Sequence, residues 1–389
     1  CITGISLSPT DVKSPSLYFN VSPSIFIQEL LKEVLGTCED NFVKGHSLGS
    51  SPESVIVEFS SPNIAKPFHV GHLRSTIHGN FIANLHQVKG FNVSRLNYLG
   101  DWGTQFGLLQ YGIEHQWYTW EEIQQNPIQL LLDIYIRANA LAEKELDVAI
   151  KARSLFQKLE DGDENLTKIW SNIRYYAVKE LTTMYKRLGV RFDNFEWESQ
   201  YGMKQISEVL QTLESNSLLF TTKDGKKAAR LNNEKQITLV KSDGSSLYLT
   251  RDIAAAIDRF HRFKFRRMLY VVGNAQTDHF EALKQILMKM NHAWANDIMH
   301  VKFGRINGMS TRKGTAIFLT DVLDEAYQRM KAKQLSSSTT KVDVESSADT
   351  TNMLALSAVF IHDLKQRRQR DYTFHWDEAL KVNSTYERI

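Results

Sequence analysis

Cysteine is nearly absent: Cys1 and Cys38 are the whole complement of 389 residues. Two cysteines build no disulfide framework and lack the paired spacing of a zinc site, so a reducing compartment is expected and no structural metal. No apolar run approaches the length needed to cross a bilayer, so no membrane partner is expected. Charge of one sign is also lacking. A net charge of +3 and a pI near 8.6 permit nucleic-acid contact without arguing for it, which leaves only local clusters to do so. There is no internal repeat. The chain opens on Cys1 rather than Met, so an upstream segment is expected to be missing or processed, and a targeting peptide is neither seen nor excluded. What is present, 42% apolar and 23% charged residues, is ordinary for a soluble globular protein with a substantial core.

The pattern along the chain is that of an α/β protein. Residues 1–50 read as a partial unit: an apolar segment "LYFNV", a helix "PSIFIQELLKEVL" and a polar loop. A buried strand "SVIVEF" follows, then a helix from about His72 closed by Gly90, then a strand "FNVSRLNYL". Strand, helix, strand at this spacing makes a βαβ unit and a parallel sheet. From about 126 to 190 the pattern is helical, with Ile173, Ala177, Leu181, Met184 and Leu188 forming one apolar stripe. "LLFTTKDGKKAARL" and "KQITLVKSDGSSLYLT" read as strands joined by Asp-Gly turns. Alternation then resumes: helix "RDIAAAIDRF", strand "MLYVV", helix "HFEALKQILMKM", and a strand near "HVKFGRI". Residues 334–351 read as a polar linker and 352–370 as a last helical piece.

Two stretches carry chemistry. His69-Val70-Gly71-His72 stands where a strand hands over to a helix. Free backbone N–H groups and the helix dipole attract anions there, and Gly71 allows a ligand close approach. His69 and His72 can donate to phosphate oxygens, or become charged as negative charge grows. The alternatives are a plain glycine turn, or a zinc site for which no third ligand is apparent. Much further on, "NGMSTRKGTAIFL" sets Ser310, Thr311, Arg312 and Lys313 between glycines, a loop suited to closing over phosphates or merely a surface loop.

"SSPNIAKPFHVGHLRST", "NYLGDWGTQFG", "SLYLTRDIAAAIDR", "YVVGNAQTDHF" and "GMSTRKG", in this order and spacing, resemble class I arginyl-tRNA synthetase, nearest the mitochondrial or fungal type. The resemblance covers roughly residues 50–380, the first motif being a form of HIGH and the last standing for the KMSKS loop. It implies a Rossmann-like parallel-sheet catalytic domain with helical and β insertions. Its parts would be an N-terminal tRNA-binding remnant (1–50), a first catalytic half (51–125), an insertion (126–244), a second catalytic half (245–333), the linker (334–351) and the start of a helical domain (352–389). The implied activity is ATP-dependent activation of L-arginine to arginyl-adenylate, then transfer to tRNA-Arg, by a monomer with ATP and Mg2+ as substrate and no tightly bound cofactor. The resemblance puts the work in the mitochondrial matrix, with the cytoplasm as the alternative.

By the same resemblance His69, Gly71, His72, Lys66, Ser310 and Lys313 face ATP, and His69, His72, Lys66, Arg312 and Lys313 serve catalysis. Tyr248 and Asp252 fall on the guanidinium side, reached from a strand end and a helix start, with Glu58 as a second carboxylate. Ser61, Asn63, His72 and Gln276 lie about the α-amino and carboxylate end, Pro62 shaping the turn. The lysines of the KMSKS consensus fall here on Gly308 and Thr311, so Lys66 is expected to supply positive charge. No role is assigned to Asp101 or Trp102. The basic runs at 261–267 and 365–370 are either tRNA contacts or solvated helix faces. The family's anticodon-reading helical bundle is not seen after "RDYTFHWDEAL", where His375 replaces the usual Asp. A truncated module that binds ATP, arginine or tRNA without turnover is therefore the competing expectation. A small nucleotidyltransferase of the HxGH superfamily is a remoter one.

Overall fold

Val55, Ile56 and Val57 are wholly buried in β3 (Ser54–Glu58), a β-branched run with no polar face. Such a strand suits the middle of a parallel sheet covered on both sides. The computed structural model describes residues 2–7, 17–36, 53–66, 68–232, 235–308, 318–337 and 348–380. β3 is the central strand of a five-stranded sheet of order β10-β9-β3-β4-β5, completed by β4 (Asn92–Leu99), β5 (Asn194–Trp197), β9 (Arg267–Gly273) and β10 (Ile298–Phe303). The pairs β10/β9, β9/β3 and β4/β5 run parallel. The chain fills one side of β3 first and the other side later, so the topology switches at β3. Crevices at the carboxyl ends of strands beside such a switch are where α/β sheets hold ligands.

The chain divides into two compact units, residues 1–53 with 84–92 and residues 54–83 with 93–389. In the first, β1 (Ile2–Leu7) pairs antiparallel with β2 (Leu17–Val21) and α1 (Pro23–Gly36) follows. In chain order β3, α2 (Leu73–Val88) and β4 follow one another as the strand–helix–strand succession expected from the sequence, with Gly90 after the helix at φ 86°.

Helices α3 (Thr104–Glu114), α4 (Trp120–Gln125), α5 (Pro127–Ala142), α6 (Leu146–Glu160) and α7 (Glu164–Arg187) come next. The predicted stripe on α7 is buried from Ile173 to Leu188. β5 lies inside the stretch read as an insertion, yet it joins the main sheet beside β4. After α8 (Met203–Ser215), β6 (Leu219–Thr221), β7 (Lys227–Arg230) and β8 (Gln236–Val240) form a small antiparallel sheet. "SLYLT" is not a further strand. The Asp243-Gly244 turn allows a single bridge, Val240 to Ser246, before α9 (Tyr248–Phe263) begins.

α10 (Thr277–Lys289) separates β9 from β10, and β11 (Ile306–Asn307) follows. α11 (Leu319–Ser336) runs into the stretch read as a linker and α12 (Ala348–Leu364) begins within it. Buried Gln334 accepts a hydrogen bond from Thr351 at 2.8 Å and ties the two ends together. Residues 338–347 of that stretch lie outside the described residues. β12 (Tyr372–Thr373) pairs with β11, and α13 (Trp376–Ala379) ends the description.

Candidate active site

The turn from β3 into α2 is held in an uncommon shape. Ser60 and Ser61 have φ of 68° and 44°, a left-handed conformation unfavourable for residues with a side chain. The surroundings enforce it. Ser60 N–H donates to Ser75 Oγ at 2.8 Å, Ser61 N–H to Asn97 Oδ1 at 3.0 Å, and Ser60 Oγ meets Tyr185 Oη at 2.6 Å. A 3-10 turn, Val70–His72, then caps α2.

Here His69 and His72 lie ring to ring, centroids 4.2 Å apart. Gly71 N–H donates to His69 Nδ1 at 2.9 Å, and His69 N–H to His72 Nδ1 at 3.3 Å. Both neutral rings therefore carry their proton on Nε2 and present it outward as a donor. Burial, the neighbouring His69 and Lys66 push His72 down to about 3, and burial and Lys66 lower His69 too. Burial thus favours the neutral, donating form of His72. Gly71 is required: a Cβ there would lie 2.5 Å from the His69 ring.

His72 and Gly71 border a cavity of about 440 Å³ at the carboxyl ends of β3, β9 and β10, whose wall includes Ser60, Ser61, Ser75, Val272, Gly273 and Gly304. The strand order places it where a nucleotide would fit. Lys66 is exposed and borders, with Pro62 and Asn63, a separate apolar crevice against α5 and α7. It still reaches the histidines electrostatically. Asn63 is occupied with the loop itself, accepting from Ala65 N–H at 3.0 Å. Ser310, Arg312 and Lys313 lie outside the described residues.

Ser61 joins this cavity to an acidic cluster. Its Oγ donates to Glu58 Oε1 at 3.2 Å, and Glu58 Oε2 takes Arg259 Nη1 at 2.6 Å. Arg259 also reaches Glu196 at 2.8 Å, and Arg262 pairs with Glu196 from the rim. Burial raises the Glu58 carboxyl while Arg259 opposes it. Glu58 is thus already matched within the chain.

Asp252 is different: among the described residues it is met by His279, Nε2 to Oδ2 2.7 Å, and not by a lysine or arginine. Its charge is felt by Glu58, Glu198, Tyr98 and Tyr270, which places these groups around it. Tyr98 Oη is buried without a partner among the described residues. Tyr248 stands one turn before Asp252 on the same face of α9, 61% exposed, so helix spacing rather than a strand end brings the two together. Gln276 is exposed at the end of the 3-10 turn after β9, one turn before His279.

Sequence reading missed Glu198, Arg259 and His279. Glu198 sits in a 3-10 turn after β5, buried, with Arg251 3.5 Å away. Burial lifts its carboxyl to about 8, with Asp252 and Asp101 adding to the rise and Arg251 opposing it. The turn is fixed by Asp101, whose carboxylate accepts from Ser199 N–H at 2.9 Å and Ser199 Oγ at 2.7 Å and faces Arg174 at 3.3 Å. Trp102 packs edge-on against Phe156 and Trp170. "GDWGTQFG" thus has a structural role: it braces the main sheet against the helices that follow it.

Arranged so, the residues offer two neutral N–H donors beside a nucleotide-sized cavity. Next to them stands a carboxylate-rich cluster whose foremost acid has, among the described residues, no Arg or Lys partner. A family model described as tRNA synthetases class I (R), catalytic domain, matches residues 41–376. Over 368 residues the chain is 41% identical to a Homo sapiens protein named "Probable arginine--tRNA ligase, mitochondrial", covering 93% of this chain and 63% of that one. Against the Saccharomyces cerevisiae "Arginine--tRNA ligase, cytoplasmic" it is 37% identical over 390 residues, covering 97% and 63%. The crystal structure of arginyl-tRNA synthetase from Plasmodium falciparum superposes with a TM-score of 0.70 at 27% identity, over 98% of this chain and 64% of that one. The chain thus spans about 63% of the length of the curated relatives described.

Proposed function

We propose, from the premise that this chain belongs to the class I tRNA synthetase (R) catalytic-domain family, that it activates L-arginine with ATP and transfers it to tRNA-Arg. The relatives' names support the substrates. The observation that carries the reading is independent of them: Asp252 faces outward among Glu58, Glu198 and two tyrosines, with a histidine as its partner. Among the described residues no arginine or lysine meets Asp252, and an always-charged, planar guanidinium is a cation suited to it.

In this reading the arginine carboxylate attacks the α-phosphorus of ATP, a P–O bond forms, and the bond to pyrophosphate breaks. A ribose hydroxyl of the tRNA terminus then attacks the carbonyl of arginyl-adenylate and AMP leaves. The protein positions the reactants and stabilises charge in flight. His69 and His72, through Nε2–H, are assigned to phosphate oxygens. Lys66, Ser310, Arg312 and Lys313 are assigned to the phosphates by electrostatics and by the motif they occupy. Mg2+ enters with ATP. Tyr248, Asp252 and Gln276 are assigned to arginine, with Ser61, Pro62 and Asn63 shaping its amino-acid end and Glu58 adding charge from behind Arg259. The mitochondrial relative supports a mitochondrial site of action and the cytoplasmic one a cytosolic alternative, which cell fractionation separates. We assign the chain a monomeric state, to be read from its sedimentation.

The test is ATP–pyrophosphate exchange with arginine, run with and without tRNA-Arg, on wild type and Asp252→Ala. Arginine-dependent exchange by wild type, lost by about 10²-fold or more in Asp252→Ala with ATP binding intact, is the expected outcome. Comparable use of lysine, or arginine binding unchanged by Asp252→Ala, rejects the assignment.

A further inference from the structure

Asp252 has a partner from a neighbouring element that the proposed chemistry leaves unused. His279, in the first turn of α10, brings Nε2 to 2.7 Å from Asp252 Oδ2. The two side chains are 23% and 24% exposed, against 6% for Glu58 and 8% for Glu198, so they are the more accessible members of the acidic cluster. The His279 ring is braced edge-on against Phe280, centroids 5.3 Å apart. Phe280 in turn packs on Tyr270 at 4.9 Å, within the core beneath the pocket.

A carboxylate recognises a guanidinium well only when its plane matches the planar fork of N–H donors. Glu58 has Arg259 to hold it in plane, and Glu198 has Arg251 at 3.5 Å. The charge of Asp252 is felt by Glu58, Glu198, Tyr98 and Tyr270, but among the described residues the hydrogen bond to its carboxylate comes from His279. Fixing that carboxylate therefore falls to His279. A single N–H bond to one oxygen sets the rotation about Cβ–Cγ and still leaves lone pairs on both oxygens for a ligand.

We infer that His279 is a positioning residue for substrate selection: its hydrogen bond to Asp252 Oδ2 orients the carboxylate that takes the arginine guanidinium. The inference rests on the assignment of Asp252 above. A general ion pair at a helix start would stabilise the fold slightly and nothing more; the positioning role touches one substrate and spares the other.

Full-length His279→Ala and His279→Gln proteins are compared with wild type. The readouts are arginine and lysine binding by calorimetry, KM for arginine and for ATP in tRNA-supported exchange, and Tm. His279→Ala is expected to weaken arginine about tenfold, hold the ATP KM within about twofold, and narrow the preference for arginine over lysine. His279→Gln, whose amide N–H reaches toward the place of Nε2, is expected to restore most of the loss. Unchanged arginine affinity in His279→Ala overturns the inference. So does a matching loss for ATP and arginine together with a lower Tm, or a His279→Gln protein no better than the alanine variant. Wild type that binds no arginine brings down the reading of the pocket itself, a result distinct from all of these.

Discussion

Glu198 is a carboxylate that burial keeps protonated to about pH 8, held beside Arg251 and felt by Asp252, Asp101, Tyr248 and Tyr98. A group raised in the fold contributes stability at low pH and loses it as pH climbs through its folded value. Unliganded protein should therefore lose stability from about pH 5 toward pH 8 on this account. A guanidinium arriving near Asp252 reverses the preference, because a cation favours the ionised acid. Arginine binding should then release a proton, and arginine affinity should rise between pH 6 and pH 8 before flattening. Calorimetry at pH 7 in buffers of different ionisation enthalpy counts that proton directly. Glu198→Gln should release fewer protons and show a flatter affinity profile. Equal proton release by wild type and Glu198→Gln would assign the linkage to another group, Glu58 being next, since burial raises it too.

Between elements, α3 and α6 meet closely at Gly107. A Cβ at Gly107 would fall 1.9 Å from the Ala152 carbonyl oxygen, a backbone atom with nowhere to go. Gly107→Ala should push the helices apart and cost about 1–3 kcal/mol or more, read as a lower denaturation midpoint. Arginine affinity should fall with it, because Trp102, next to the Asp101 that fixes the Glu198 turn, packs on Phe156 and donates to Glu160 of α6. Gly162→Ala, where a Cβ would meet nothing, tests φ strain alone and should leave the helix contact intact. The same region shows what a sequence discloses and what it does not. The β3–α2–β4 unit was legible because Val55 to Val57 and the helix after His72 are long, unambiguous patterns. So was the His-x-Gly-His turn, whose residue types state their chemistry. β5 and the Glu198 turn were not, since 4 strand residues and a 3-residue turn carry too little periodicity to be recognised. "SLYLT" looked like a strand for its β-branched and aromatic residues, but the buried Ala254–Ala256 face of α9 commits that segment to helix. Arg259 is so far along the chain from Glu58, and His279 from Asp252, that only the fold reveals their pairing.

For the molecule as a whole, the proposed arginine pocket is drawn entirely from the larger unit, from Glu58, Glu198, Asp252, Gln276 and His279, which lie on separate elements. A ligand that bridges such elements is bound only when they are assembled, so it must stabilise their assembly. At about a hundredfold excess over its Kd, arginine should add roughly 2.7 kcal/mol to unfolding of that unit, a rise in Tm of a few degrees. Lysine at the same concentration lacks the planar fork and should give little. Citrulline keeps the shape but not the charge, and should also give little if the pocket's unbalanced carboxylates drive binding. Hydrogen exchange localises the effect: protection should grow in β3, β5, α9 and the start of α10, while β1, β2 and α1 of the smaller unit keep their rates. Protection that grows equally in both units, or a citrulline shift as large as the arginine one, would mean that recognition rests on something other than the charge of a guanidinium in this pocket.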